Sequence, residues 1–172
     1  SENEMSIVSD ISEQRFTVVV RGPNYVVSTL SATDVNLYAS AAAVDSPGQY
    51  DLSVSALQVN ANSQYEGLSI TPKTVKVDFD YVETREFTIE ATAEGATASE
   101  GLIAEAAVVS GTESNTITIT GPRTVINSIE SVKAIAVVDK TLSLSETFDA
   151  NITLYNQKNE KIDTSNLTLS AD

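Results

Sequence analysis

The stretch "FTVVVRGPNYVV" at residues 16–27 runs a strand-like alternation into a Gly-Pro pair, and "TITITGPRTVI" at residues 116–126 does nearly the same. Phe16, Val18 and Val20 alternate with Thr17 and Arg21, while Ile117 and Ile119 alternate with Thr116, Thr118 and Thr120. Period two places each apolar set on one face of a sheet. After each Gly-Pro, the apolar residues Val26, Val27 and Leu30, and likewise Val125, Ile126 and Ile129, fall at i, i+1 and i+4. That is the spacing of a short amphipathic turn of helix. Proline suits the first position of such a turn, since its missing N–H would be unpaired there and its φ is already near helical. A glycine before it lets the chain bend sharply off the strand end. A lone Gly-Pro is ordinary turn material, but a chain with seven glycines and four prolines spends two of each on one construction.

The correspondence extends outward from Gly22-Pro23 and Gly121-Pro122, which are 99 residues apart. At the same spacing Val18 and Val20 fall on Ile117 and Ile119, Leu30 on Ile129, and Leu68 and Ile70 on Leu167 and Leu169. Between these ends the spacing drifts, with Val35 opposite Val132 and Tyr50-Asp51 opposite Phe148-Asp149, as turns of different length require. The pattern predicts two tandem copies of one module, residues 1–82 and 83–172, in an elongated, all-β chain with one short helical turn per copy. Strands are expected at Val35–Ala43, Tyr50–Val59, Gly67–Ile70, Val75–Tyr81, Phe87–Ala93, Leu102–Val109, Val132–Val138, Phe148–Tyr155 and Asn166–Leu169. The first copy continues through "TPKTVKVDFDY", whereas the second reaches "LTLSAD" where that strand's counterpart would begin. A second copy without this strand, which would otherwise come from a following module, carries an unpaired sheet edge, so weak self-association is expected.

Composition narrows the function. Lys and Arg total 10 against 24 Asp and Glu, a net charge of −14, and such a surface repels phosphate backbones and anionic headgroups. Nucleic acid is therefore not an expected partner. The chain is 41% hydrophobic, with the apolar residues spread along its length, which is globular composition. Its longest apolar-looking stretch, "LYASAAAV" at 37–44, is less than half of the about 20 residues that span a bilayer.

Chemistry is scarce. With no histidine and no cysteine, Ser-His-Asp and Cys-His arrangements, thiolate nucleophiles and ordinary zinc sites are unavailable. Asp78 with Asp80, or Glu83 with Glu86, are the carboxylate pairs closest in sequence to acid-base spacing, and a solvated sheet face explains the first pair better. "DFDYVE" lacks the spaced acidic loop and glycine of a calcium-binding EF-hand, and no phosphate-cradling glycine motif occurs. The tyrosines at 25, 38, 50, 65, 81 and 155 suit half-buried packing more than a glycan platform. No catalytic residue, cofactor or metal ligand is expected. The candidate motif residues Gly22, Pro23, Gly121 and Pro122 are structural.

The order of strand, Gly-Pro, "VVSTL" or "VINSI", a "DV" or "SV" strand opening, Val44-Asp45 or Val138-Asp139, "GQYDLSV" and "LSITPKTVKVDF" resembles the YbbR domain family. The first copy carries "RGP", "GQYDLSV" and "ITPKTVKV". The second has Glu146-Thr147 in place of the glycine and Ala171 in place of the proline. The resemblance implies a non-enzymatic module, repeated in tandem in bacterial proteins that hold one N-terminal transmembrane helix and project the repeats outside the cytoplasmic membrane. It also implies a protein partner, a membrane-bound diadenylate cyclase whose cyclic di-AMP output such proteins regulate, and membrane association only through an anchor outside these residues. A generic cell-surface β-sandwich repeat, acting as a stalk or binding glycan, is the alternative.

Overall fold

A computed structural model describes residues 5–58, 65–110 and 115–170. It divides the chain into two compact units, Met5–Asp80 and Tyr81–Asp172. Strands are the main regular structure of both, with one short α-helix in each, so the expected all-β class holds. Val59, the last residue of one expected strand, lies outside the described residues.

The first unit contains β1 (Met5–Ile7), β2 (Thr17–Arg21), α1 (Asn24–Val27), a 3-10 turn (Ala32–Asp34), β3 (Val35–Ala39), β4 (Gly48–Gln58), β5 (Gly67–Thr71) and the first residues of β6 (Thr74–Glu94). β4 pairs antiparallel with β3 on one side, Val35 facing Gln58, and with β6 on the other, from Gly48 opposite Phe79 to Ser53 opposite Thr74. β1 lies along β6, and the following Val8 N–H donates to the Asp78 carbonyl at 2.9 Å. β2 and β5 form a separate antiparallel pair, with Val18 opposite Ile70 and Val20 opposite Leu68. The alternation of "TVKVDF" buries Val75, Val77 and Phe79 against Met5, Phe16, Val44, Tyr50, Leu52 and Val54. The Tyr50 ring meets Phe79 edge-on, with centroids 5.9 Å apart. Burying side chains of this size stabilises by about 1.5–3 kcal/mol each, so this cluster is the anchor of the unit.

The second unit contains β6 from Tyr81 onward, β7 (Thr97–Ala98), β8 (Thr116–Pro122), α2 (Arg123–Ser128), β9 (Ser131–Val137), β10 (Thr141–Leu142), β11 (Asn151–Tyr155) and β12 (Thr168–Ser170). β6 pairs antiparallel with β8 from Val82 opposite Pro122 to Thr88 opposite Thr116, then parallel with β9 from Ile89 opposite Val132 to Glu94 opposite Val137. β8 also pairs antiparallel with β12, β9 with β11, and β7 runs parallel to β10. β6 ends in a turn at Gly95, φ +77°, where a Cβ would come within 3.1 Å of the Asp139 backbone. That position needs glycine for both its backbone angle and its lack of a side chain. Ile89, Ile117, Ile119, Ile126, Ile129, Val132, Ala134 and Leu154 form one sealed core.

Several expected boundaries move. The strands expected at 75–81 and 87–93 are one strand, because "VETRE" between them holds no Gly or Pro and each of its residues pairs with β8. Leu102–Val109 is not a strand. Ile103 is 92% and Val108 81% exposed, and within this run only Val109 packs against the core, so its apolar content builds no ladder. The two helical turns occur as expected, each entered through a proline with nearly the same angles, φ −57° at Pro23 and −56° at Pro122. The Thr29 hydroxyl donates back to the Val26 carbonyl at 2.8 Å, and the Ser128 hydroxyl to the Val125 carbonyl at 2.7 Å, the same bond 99 residues on. That spacing fails across the closing strand pair, where Val18 faces Ile70 but Ile119, not Ile117, faces Leu169. A slip of two residues keeps the same faces inward, which is why the fold tolerates it.

Candidate functional site

The first unit holds an open apolar groove of about 490 Å³, lined by Phe16, Val18 and Val20 on and before β2, Val27 and Leu30 on and after α1, Ser31 and Ala32, and Val35 and Leu37 on β3. Its two strand walls are single-sided: among the described residues β2 pairs only with β5, and β3 only with β4. The turn between the helix and β3 is locked by a capping box, in which the Ser31 N–H and hydroxyl donate to Asp34 Oδ2 at 2.7 and 2.8 Å. These bonds, the backbone one foremost, hold the Asp34 carboxyl below its ordinary value of 3.8. The groove is thus a shaped feature with a rigid corner.

What makes it a candidate site is the second unit. The residues corresponding to Val18, Val20, Val27, Leu30, Val35 and Leu37 are Ile117, Ile119, Ile126, Ile129, Val132 and Ala134. All six of these are buried in one core, whereas the groove residues are all half-buried. The difference has a visible cause. In the second unit β6 lies against both β8 and β9, placing Ile89 inside that core with Phe87 packed against it. Nothing described in the first unit occupies the corresponding place beside β2 and β3.

A polar cluster sits in the second unit where β6 meets α2. Glu83 accepts from Arg85, whose Nε lies 3.1 Å from Oε1, and its Oε2 is 3.2 Å from Arg123 Nε. Arg85 Nη2 also donates to Asn127 Oδ1 at 2.6 Å, and the Arg123 guanidinium lies 4.6 Å from the Tyr81 ring centroid. Two cations on one carboxylate make a clamp between strand and helix, not an acid-base pair. Glu86 points to the opposite face of β6 from Glu83, so the structure separates that pair. Asp78 and Asp80 do share a face, but not as a solvated pair. Asp78 Oδ1 accepts from Gln49 Nε2 at 3.0 Å, and Asp80 is only 3% exposed. No buried side-chain nitrogen or oxygen among the described residues lacks a hydrogen-bond partner, so the burial of Asp80 is compensated.

Neither motif glycine, Gly22 nor Gly121, is among the described glycines with positive φ, which are Gly48, Gly95 and Gly101. At Gly121 the demand is steric. A Cβ there would collide with the Leu167 side chain and lie 3.1 Å from the Asn166 carbonyl oxygen. Pro122 closes β8 and opens α2, and Gly121 and Pro122 are both buried. Gly22 and Pro23 make the same joint, half-buried, before α1. Tyr50, Tyr81 and Tyr155 are engaged through their rings with Phe79, Arg123 and Lys133, while Tyr25 and Tyr38 are exposed. Among the described residues, no three acidic side chains are arranged to hold a metal ion, and no helix is long and apolar enough to cross a membrane.

Residues 97–170 match the model of a family described as YbbR-like protein. The YbbR-like match falls on the second copy, the one with fewer of the quoted motifs, and it ends with β12. A solved structure described as a YbbR-like protein from Streptococcus pneumoniae TIGR4 is similar at 10% identity, covering 96% of this chain and 89% of that one with a TM-score of 0.44. No curated protein matches.

Proposed function

We propose that the chain is a non-enzymatic, extracytoplasmic interaction module of a membrane-anchored bacterial protein, with YbbR-like modules at both 1–82 and 83–172, and that it modulates a membrane-bound diadenylate cyclase. The single observation that carries an interaction role is the groove, an apolar recess bounded by two strands with unpaired edges. Exposed apolar surface with unpaired backbone beside it is the signature of a binding surface. The choice of a cyclase as the protein acted on rests on the resemblance of the sequence motifs to the YbbR domain family. The carboxylates that acid-base chemistry would need are held in ion pairs, buried or on opposite faces, which leaves catalysis without support.

The test is to titrate the chain into vesicles bearing the diadenylate cyclase and follow cyclic di-AMP formation. A saturable change in rate is expected. A rate that stays flat, together with no co-sedimentation of the chain with cyclase vesicles over empty ones, defeats the proposal.

A further inference from the structure

We infer that the outer face of the second unit's sheet, at Ile135 and Val137 on β9, is a docking surface for a basic amphipathic helix of a partner protein. This rests on the reading of the chain as an interaction module and is separate from the groove. β9 turns Val132, Ala134 and Ala136 into the core, so the alternation sends Ser131, Lys133, Ile135 and Val137 to the opposite face. On a strand that meets water on one side, that face is polar. Here "AIAVV" at 134–138 is an unbroken apolar run, the pattern of a strand covered on both faces. Yet Val137 is 75% exposed and Ile135 only half-buried. The first unit repeats the feature. Tyr38 and Leu57, on the face of β3 and β4 turned away from Val35 and Leu37, are both more than half exposed. Apolar residues turned outward in both copies are a property of the module.

Two observations fix the occupant. Ile135 pairs with Thr92 of β6 on one side and Asn151 of β11 on the other. No backbone edge is free there for an added strand, so what covers the face must lie on it as a helix lies on a sheet. The charge is set by β6. Its parallel register puts Glu90 beside Lys133, Thr92 beside Ile135 and Glu94 beside Val137 on the same face. Glu90 and Glu94 are exposed, and among the described residues neither is in an ion pair. The opposite border, Asn151 and Thr153 on β11, is uncharged. The complementary helix therefore carries an aliphatic stripe with Lys or Arg along one border. Glu90 and Glu94 stand about 13 Å apart along the strand, which a helix covers in about nine residues, and that is the spacing of the two cations. The net charge of −14 adds long-range attraction for such a partner.

The synthetic peptide KLLKKLLKKLLKKL, with leucines on one helical face and lysines on the other, is the probe, titrated into the full chain and followed by NMR and calorimetry. Saturable shifts centred on Glu90, Thr92, Glu94, Ile135 and Val137 support the inference. Val137→Ser should weaken binding about tenfold, the loss of one buried valine, and Glu90→Gln with Glu94→Gln about fivefold. All three positions are exposed, so the variants should melt as the parent chain does. Neutralising two exposed acids of the first unit, Asp51→Asn with Glu66→Gln, should change binding by less than about twofold. Equal weakening by the two charge pairs, no effect of Val137→Ser, or equal binding of the alternating peptide KLKLKLKLKLKLKL, which is amphipathic only as a strand, overturns the inference. So does sedimentation with phosphatidylcholine vesicles that is lost in Val137→Ser, since the face would then fit lipid. Because the probe contains no cyclase, its failure leaves the cyclase reading standing. A bound peptide with an unresponsive cyclase removes that reading and keeps the docking face.

Discussion

Replacing Gly121 with alanine tests the joint between β8 and α2 directly. The backbone there is ordinary for any residue, so a destabilisation cannot come from φ and must come from contact. An added Cβ meets the end of the Leu167 side chain and stands 3.1 Å from the Asn166 carbonyl oxygen. Leu167 can rotate only at the expense of its own packing, since it lies against the core of Ile117, Ile119 and Ile126. The carbonyl belongs to the backbone just before β12 and yields less readily. Overpacking of this kind costs about 1–3 kcal/mol, which in a unit of this size lowers the melting temperature by about 4–8 °C per kcal/mol. Thermal unfolding followed by far-UV circular dichroism reads the change. Gly67→Ala is the control, because nothing lies within 4 Å of its Cβ position. The double variant Gly121→Ala, Leu167→Ala should lose less than the sum of its parts, since truncating Leu167 removes the clash. Unchanged melting in Gly121→Ala, or strict additivity in the double variant, would refute the steric account and leave the Gly-Pro pair as plain turn material.

The two cores should respond unequally to truncation to alanine at matching positions. Ile119→Ala, fully buried, is expected to cost about 3–5 kcal/mol in urea unfolding, whereas Val20→Ala, on the open groove wall, should cost about 1 kcal/mol or less by the same rule. Comparable losses would mean the groove is closed in solution. Asp34, with its carboxyl held below 3.8 by Ser31, contributes stability that is fully present above that value and is lost as pH falls through its lower folded value. Ser31→Ala, which removes the hydroxyl bond but keeps the backbone one, should move the Asp34 titration, followed by carbon-13 NMR, part of the way back up toward 3.8, and an unmoved midpoint would contradict the bond from the Ser31 hydroxyl. Glu83→Gln breaks the clamp between β6 and α2, and because both arginines are partly exposed the loss should stay within about 1 kcal/mol and shrink in high salt. A salt-independent loss of several kcal/mol would show a far drier cluster.

By itself the sequence determined the class of fold and the joints within it. Period-two alternation at 16–20, 75–81 and 116–120, the Gly-Pro pairs and the i, i+1, i+4 spacing after them are local signals, and local signals fix which face of a strand turns inward and where a helix can start. They predicted strands beside helical turns, and those formed. The absence of histidine and cysteine likewise restricted the chemistry before any coordinates.

Only the tertiary structure decided what those strands pair with. That β6 runs unbroken from Thr74 to Glu94, that Leu102–Val109 forms no strand, and that Asp80 is buried are consequences of neighbours far away in sequence. Alternation alone does not distinguish a strand with a ladder partner from one without. The same holds for the groove. Val18 and Ile117 look equivalent as residues of a pattern, and only the tertiary structure shows Ile117 buried in one core with Ile89 and Val18 half-buried.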